Sequence, residues 1–384
     1  MPLLNGPTHF GPHHPAPAQF TFDPRKRATV GDLLFCVRGS TTGRMNWADR
    51  DYAIGRGVAA IRHRAETRLQ PLVRGIVEHS LPGLLVQATG STFPNVSANQ
   101  LANIEWPKLA LPEQRAIAHI LGTLDDKIEV NRRMNETLEG MTRALFKSWF
   151  VVFDPVRAKM EGRDTGLPRD IADLFPDRMG ESEMGEVPEG WVHETVYRFA
   201  DIVYGAPFAS KQFNTENEGM PLIRIRDLAT HNPSVSTKQV HGKGHLIEPG
   251  DIVVGMDGVF RLEVWKGPTS WLNQRVCHFE SRPGIPTSFL AGALQEPLAF
   301  FERAKVGTTV IHLGKRDLDT IRLLYPGQEI LGAFGKAGES LLEKAVANSH
   351  ESRTLAALRD TLLPKLVSGE MRVAEAAQRL EAGA

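Results

Sequence analysis

The longest amphipathic stretch covers residues 111–149 and has the apolar spacing of a coiled coil. Its seam positions recur at alternating steps of three and four. They hold Ile117, Leu121, Leu124, Ile128, Leu138, Leu145 and Trp149, with Asn131, Asn135 and Thr142 at the remaining seam positions. This period predicts a helix of roughly 50 Å whose seam needs a partner. Taken alone, the stretch is equally compatible with an ordinary long helix against a globular core.

A second stripe, at residues 330–366, supplies a partner within the same chain. It carries Leu331, Phe334, Leu341, Ala345, Leu355, Leu362 and Leu366. A shift of 217 positions places Leu124 on Leu341 and Asn131 on Asn348 without a gap. Further matches occur upstream at shifts of 217 and 219, in the same order along the chain. Collinear matches over most of a chain indicate an internal duplication.

The segments before each long helix mix strand-like and helix-like patterns. In the first half the strand-like runs are residues 32–39 and 57–62, and helical periodicity follows at 69–86. In the second half the strand-like runs are 220–225, 251–254 and 275–279, with a helix-like segment at 286–304. Residues 1–28, rich in Pro and His, predict a loop. The charged stretch that follows Pro155 and extends to about residue 186 predicts an exposed, irregular linker.

These patterns predict an α+β (mixed α/β) fold built as a tandem repeat. The predicted segments are a first domain at 1–110, a long helix at 111–150, a linker at 151–186, a second domain at 187–326, a C-terminal long helix at 327–372 and a tail at 373–384.

Composition narrows the class of protein. A chain of 384 residues with 41% hydrophobic and 23% charged residues is typical of soluble domains with real cores. Two cysteines provide no disulfide framework, which favours a reducing, cytoplasmic setting. No apolar run reaches about 18 residues, so we expect no membrane span. Equal numbers of basic and acidic residues, 45 each, argue mildly against a protein that coats nucleic acid but permit local basic faces.

No catalytic constellation is recognisable. A methyltransferase would need a glycine-rich cofactor loop and an Asn-Pro-Pro-aromatic motif, and a motor would need a GxxxxGK[ST] phosphate loop; the sequence has none of these. Cys36 and Cys277 lie in strand-like runs, which favours core positions over nucleophiles. His9, His13 and His14 match no standard metal-site spacing, so a metal site there is disfavoured.

Several sequence motifs together indicate a protein family, although each motif alone would be a weak indication. They are LPEQRAI at 111–117, ALFKSWF at 144–150 followed by FDP at 153–155, FPDR at 175–178 leading to GW at 190–191, and LPKLVSGE at 363–370. On these motifs the chain resembles the specificity subunits of type I restriction–modification enzymes, over nearly its whole length.

The resemblance implies a non-catalytic subunit with two target-recognition domains, each reading one half of a bipartite site in double-stranded DNA. It implies that the two long helices pack antiparallel and fix the spacing of the half-sites. Two modification (methyltransferase) subunits carrying S-adenosylmethionine would dock on the chain. Restriction (motor-nuclease) subunits would use ATP and Mg²⁺, and the chain itself would hold no cofactor. A scaffold that binds only proteins, or an inactive remnant, are the alternatives.

The first domain departs from the family pattern at its start. If Met1 corresponds to Met220, the counterpart of residues 191–219 is missing, including the first strand region. We therefore expect an unpaired sheet edge there, and DNA reading by this domain is in doubt.

We expect the contacts with DNA mainly from Arg, Lys, Asn and Gln in loops beside the strands, since such side chains contact bases and phosphates. The candidates of the first half are Arg38, Arg44, Arg56, Arg62 and Asn95. Those of the second half are Ser210, Lys211, Arg224, Arg226, Lys243, Arg261, Asn273, Gln274 and Arg275. For any single residue, a solvated surface side chain is the competing interpretation. The run Gly307-Thr308-Thr309 could donate amides to a phosphate, but a turn is favoured.

Overall fold

The two predicted long helices are the longest elements of the fold, at 40 and 41 residues. The computed structural model describes residues 1–88, 94–305, 311–376 and 378. The helices are, in chain order, α1 (Gln70–Val86), α2 (Ala98–Ala102), α3 (Leu111–Phe150), α4 (Asp154–Met160), α5 (Arg169–Ala172), α6 (Thr287–Ala304), α7 (Lys315–Asp319) and α8 (Gln328–Ser368).

The strands are short, and most lie before one of the long helices. Those of the first half are β1 (Pro2–Leu4), β2 (Gln19–Phe20), β3 (Arg27–Ala28), β4 (Leu33–Cys36), β5 (Met45–Trp47), β6 (Tyr52–Ile54) and β7 (Val58–Ile61). Those of the second half are β8 (Met179–Ser182), β9 (Gly185–Pro188), β10 (Val192–Thr195), β11 (Ala200–Tyr204), β12 (Phe213–Asn214), β13 (Met220–Ile223), β14 (Ser236–Thr237), β15 (Leu246–Ile247), β16 (Ile252–Gly255), β17 (Leu262–Val264), β18 (Ser270–Leu272), β19 (Val276–Ser281) and β20 (Arg322–Tyr325).

The ends of α3 follow from local chemistry. The Glu113 carboxylate accepts a hydrogen bond from the backbone N–H of Ala110 at 3.1 Å, which satisfies a donor just before the first turn. The negative charge of Glu113 suits the positive end of the helix dipole, and Lys147 suits the opposite end. The helix therefore begins and ends within the predicted bounds of 111–150.

Unit 1 comprises Met1–Val130 together with Ser352–Ala384. It contains one sheet in the order β2-β1-β6-β3 and another in the order β5-β4-β7. One of its apolar clusters joins α1 to the first part of α3 and the last part of α8, through Leu72, Leu121, Leu124 and Leu362. Met371 and Ala376 are buried in the same cluster. Met371 lies in the predicted C-terminal helix of 327–372 but after the observed end of α8 at Ser368, and Ala376 lies in the predicted tail of 373–384. Residues 377 and 379–384 lie outside the described residues.

Unit 2 comprises Asn131–Glu351. Its sheets have the orders β12-β14-β13-β18-β15 and β11-β19-β16-β17, and the pairs β10-β20 and β8-β9 complete it. The main apolar cluster surrounds Trp149, Phe150, Phe289 and Phe334, whose rings meet mostly edge to face. This cluster ties the helices α3, α6 and α8 to the sheet within unit 2.

The internal duplication is confirmed by strand register. The parallel pair β1–β6 matches Leu4 with Ile54, and the parallel pair β13–β18 matches Ile223 with Leu272. Likewise β4–β7 pairs Cys36 with Val58, and β16–β19 pairs Gly255 with Val276. Each second pair is the first shifted by the 218 or 219 positions of the repeat. The two units are therefore built on one topology.

The strands β8 to β12 of unit 2 have no counterpart in the described part of unit 1, and β11 is the one that covers the sheet edge. In unit 2 β19 is paired on both sides, whereas in the described part of unit 1 β7 pairs with β4 alone. The segment equivalent to β20 is irregular in unit 1, and Trp106 there is 40% exposed where Leu323 of β20 is 3% exposed. The expectation of an unpaired sheet edge in the first half is confirmed.

The long helices pair antiparallel within each unit. In unit 1 Asp125 of α3 meets Arg359 of α8. In unit 2 Asn131 donates to Glu351 and Asn135 donates to Ser349, at 2.6 and 2.8 Å. In these contacts, higher residue numbers in α3 pair with lower residue numbers in α8. The two helices are therefore antiparallel, as the resemblance implied.

Two expectations about irregular segments are wrong. Residues 1–28 contain β1, β2 and β3, and they bury Leu4 and Phe10. The stretch 151–186 contains α4, α5 and β8, and its Val156 and Phe175 are nearly inaccessible. Proline and histidine are frequent in the first segment and charged residues in the second, but apolar side chains of both segments pack into the adjacent cores.

Candidate nucleic-acid interface

The same hydrogen-bonded edge occurs once in each unit, beside the central strands β4 and β16. Three backbone hydrogen bonds and one β-bridge recur. In unit 1 these are Cys36 N–H to Arg44 C=O, Val37 N–H to Gly57 C=O, Val96 N–H to Val37 C=O, and the bridge between Arg38 and Asn95, with bond lengths of 2.8–3.0 Å. In unit 2 they are Gly255 N–H to Arg261 C=O, Met256 N–H to Arg275 C=O, Leu313 N–H to Met256 C=O, and the bridge between Asp257 and His312, at 2.8–2.9 Å. We name these sets the first edge and the second edge.

Each edge brings together side chains that are far apart in sequence. The backbone bonds place the end of the central strand beside a hairpin turn, the turn before the next strand and the segment before α2 or α7. The predicted DNA-binding residues at the first edge are Arg38, Arg44, Arg56 and Asn95, all exposed. Those at the second edge are Arg261, Gln274 and Arg275, also exposed. The structure therefore unites seven of the fourteen candidates at equivalent places.

A glycine with positive φ follows the bridge residue in both units. Gly39 has φ 101° and Gly258 has φ 72°. Such angles are unfavourable for residues with a Cβ, so the turn that ends the central strand depends on glycine. The repeat of this turn explains why Arg38 and Asp257 project at corresponding places.

The second edge carries a cluster of three ionisable side chains. The carboxylate of Asp257 lies 2.6 Å from Nδ1 of His312 and 3.5 Å from Nε of Arg275. All three remain accessible: the side chains of Asp257, His312 and Arg275 are 34%, 36% and 58% exposed. The cluster is thus open to a ligand.

Arg275 also has an unusual backbone conformation, with φ 72°. A non-glycine residue there costs about 1–2 kcal/mol. Its C=O accepts the hydrogen bond from Met256 of the second edge, so the strained turn is held by the recurring bond network.

Other candidates have structural partners that the sequence did not reveal. Arg62 binds the buried Asp32 through two hydrogen bonds of 2.5 and 2.6 Å. Arg224 donates to Asp227 at 3.1 Å. Asn273 is 8% exposed and lies within the turn under the second edge. These contacts assign the three side chains a role in the fold.

The remaining candidates lie outside the two edges. Ser210 and Lys211 lie in a 3₁₀ turn after β11, Arg226 lies in one after β13, and Lys243 lies in the loop between β14 and β15. All four are exposed, and their contact with DNA stays a prediction. The run Gly307-Thr308-Thr309 lies outside the described residues.

Sequence reasoning missed Asp257 and His312. The prediction considered donors and amides in loops, whereas Asp257 is a carboxylate that lies 3.5 Å from Nε of Arg275. Alignment of the two repeats could have indicated both residues, because it matches Asp257 with Arg38 and His312 with Asn95.

The two cysteines and two of the N-terminal histidines have contacts that belong to the fold. Cys36 and Cys277 are fully buried, and burial raises the pKa of the Cys277 thiol to about 12, which does not suit a nucleophile at neutral pH. His14 Nδ1 lies 2.9 Å from the Trp47 carbonyl oxygen, and His13 lies 3.7 Å from Glu129.

Within the described ranges, no group of three or more His, Cys, Asp or Glu side chains is arranged to hold a metal ion. No described helix has the length and apolar character that a membrane crossing requires.

Unit 2 also contains an open groove of about 1270 Å³ between α3, α6 and α8. Phe146, Leu262, Phe300 and Leu341 line it. Hydrocarbon walls suit a protein surface or an apolar ligand better than a phosphate backbone. The two polar edges are therefore the better candidates for contact with nucleic acid.

Comparison with known proteins agrees with these features. Residues 25–140 match the family model described as the type I restriction modification DNA specificity domain. The HindI specificity subunit of a type I restriction enzyme from Haemophilus influenzae is 28% identical, over 90% of this chain and 88% of its own length. The chain is therefore similar, over most of its length, to type I restriction enzyme specificity subunits. The MjaIX specificity subunit of Methanocaldococcus jannaschii is 27% identical, over 74% of this chain and 65% of its own length.

A solved structure shares the fold. The S subunit of a type I restriction–modification system from M. genitalium aligns with 95% of this chain and 88% of its own, with a TM-score of 0.52 and 17% identity. The α+β architecture with two long helices is therefore that of a known specificity subunit.

Proposed function

We propose that this chain is the DNA-specificity subunit of a type I restriction–modification complex. Each unit binds one half of a bipartite site in double-stranded DNA, and the helices α3 and α8 set the spacing between the halves. The chain performs no catalysis and holds no cofactor of its own. It docks two modification subunits, which supply S-adenosylmethionine and methyl transfer, and restriction subunits, which use ATP and Mg²⁺.

The observation that carries this proposal is the duplicated edge. One backbone scaffold occurs twice, and each copy presents exposed hydrogen-bonding side chains on a loop cluster. A bipartite reader needs two such surfaces held by one framework, since protein geometry then translates into half-site spacing. The named relatives, which are specificity subunits, support the same conclusion.

One observation favours a second function, that of an inactive remnant or a scaffold that binds only proteins. In the described part of unit 1, no strand covers the outer side of β7 as β11 covers β19. If this difference disables unit 1, the chain assembles with its partners without reading a full site.

Co-expression with the cognate modification subunits, followed by genome-wide mapping of N6-methyladenine, tests the proposal. Methylation at a defined split motif supports the specificity function. An assembled complex that methylates no defined motif contradicts it and favours the scaffold or remnant. A motif restricted to one half-site would show that unit 2 alone reads DNA.

A further inference from the structure

We propose that the bridge positions of the two edges determine which bases are read: Arg38 and Asn95 in unit 1, and Asp257, His312 and Arg275 in unit 2. The ligand class is the base edges of double-stranded DNA in the major groove. This inference rests on the proposed function and assigns its specificity to particular side chains.

The first step is the contrast between backbone and side chains at the repeated positions. Val37 and Met256, and likewise Val96 and Leu313, occupy the same places, and these inward positions stay apolar in both units. The bridge residues next to them change from Arg to Asp and from Asn to His. A constant scaffold with divergent polar side chains is what two readers of different half-sites require.

The second step is the strain at Arg275. Its left-handed backbone has a cost that side-chain burial does not offset, because the side chain is 58% exposed. Strain of this kind at an exposed position points to a function rather than to packing. Asp257 lies 3.5 Å from its Nε, which orients the guanidinium and leaves the terminal nitrogens as donors. Two such donors match O6 and N7 of guanine.

The third step is the orientation of His312. Its Nδ1 lies 2.6 Å from the Asp257 carboxylate, and a carboxylate only accepts, so Nδ1 donates this hydrogen bond. Nε2 is then the ring nitrogen that meets a base edge. Asp257 thus contacts both neighbours, as the acceptor of a hydrogen bond from His312 and as the ion-pair partner of Arg275.

The first edge has a different reading chemistry. Arg38 offers a guanidinium, and Asn95 offers an amide whose oxygen and nitrogen match N6 and N7 of adenine. Both side chains are exposed. The two units should therefore recognise different half-sites although they share one scaffold.

The test compares specificity ratios of the complete complex with its modification subunits. The ratio is the affinity for the mapped site divided by the affinity for a site altered at one base pair of the second half. We expect Arg275→Gly to lower this ratio at one position by about tenfold to a hundredfold and to make that position degenerate in the methylation motif. Glycine suits φ 72°, so this variant keeps the fold and relieves the backbone strain that Arg275→Ala would retain. Arg169→Ala, which removes an exposed cation of α5 that is not among the DNA-contact candidates, should leave the ratio unchanged.

A transplant sharpens the test. Asp257→Arg combined with His312→Asn gives the second edge the bridge residues of the first, and we expect the second half-site to change while the first stays the same. An unchanged motif in Arg275→Gly and in the transplant would overturn the inference. So would equal loss of affinity for matched and altered sites, the result for a phosphate contact. If the wild-type complex assembles but methylates no motif, the proposed function fails, and this inference falls with it.

Discussion

The ion pair between Asp125 of α3 and Arg359 of α8 gives a quantitative test of the helix pairing in unit 1. The carboxylate of Asp125 accepts a hydrogen bond from Nη1 of Arg359 at 2.7 Å, and the side chains are only 14% and 19% exposed. Burial lowers the pKa of Arg359, but the carboxylates of Asp125, Glu78 and Asp360 together raise it more, so the guanidinium stays charged. Removing one partner leaves a mostly buried charge without its main counter-ion.

The expected cost follows from this burial. Breaking a fully buried pair costs about 3–5 kcal/mol. Here both groups keep some water, and Arg359 retains hydrogen bonds of 2.8 and 3.0 Å to Asp360. We therefore expect Asp125→Ala to destabilise unit 1 by about 2 kcal/mol and the coupling energy of the double-mutant cycle with Arg359→Ala to be about 1–2 kcal/mol. The pair Asp125→Leu with Arg359→Met should be close to neutral, because it removes both charges together.

Hydrogen exchange of residues 117–130 is the suitable assay, since a chain of two units does not melt in two states and exchange reads this helix segment directly. The difference in exchange free energy between wild type and each variant gives the cycle. A coupling energy below about 0.5 kcal/mol would refute the argument that the pair is desolvated.

Two further predictions concern stability. Leu362 of α8 is fully buried in unit 1, so Leu362→Ala should lower the free energy of unfolding by about 2–5 kcal/mol, whereas Thr361→Ala on the exposed side should lower it little. Loss of hydrogen-exchange protection in α1 and α3 measures this difference. Equal effects of the two substitutions would contradict the prediction. The Arg115 and Arg68 guanidinium groups hold the pKa of Glu66 at about 2, below its usual 4.5. A lowered pKa adds stability that is fully present above pH 4.5 and is lost as the pH falls toward 2, so Glu66→Gln should flatten the pH dependence of unit 1 stability in that window. An unchanged acid profile would show that the contact does not persist in solution.

The long helices and the paired strands were predictable because their apolar periods are complete. The seam of α3 runs from Ile117 to Trp149 without a break that a loop would need, and the repeat supplied its partner. The strand runs around β4 and β16 are fully buried, so their sequences are continuously apolar and easy to recognise. These elements depend on local pattern, which a single sequence contains.

The errors have a different physical origin. In residues 1–28 and 151–186 a few apolar side chains, such as Phe10 and Phe175, pack into cores made by distant residues. No local period records such packing. The short strands there are set by tertiary contact rather than by propensity.

The candidate site shows the same limit. Basic residues were recognisable as a class, but the sequence could not show that Asp32, thirty positions away, binds Arg62. Nor could it show that Arg38 and Asn95 meet across a bridge. Alignment of the two repeats could have identified Asp257 and His312, because their positions follow from Arg38 and Asn95.

The central claim is that one framework holds two readers at a spacing set by helix length. The direct measurement inserts one heptad in α3 after Arg133 and one at the opposing point of α8 after Ser349, and maps the methylation motif of the complex. Seven residues lengthen each helix by about 10 Å, which corresponds to about three base pairs of B-DNA. The account predicts unchanged half-sites with a spacer about three base pairs longer. Methylation of the original motif with its original spacer by the lengthened chain would contradict it.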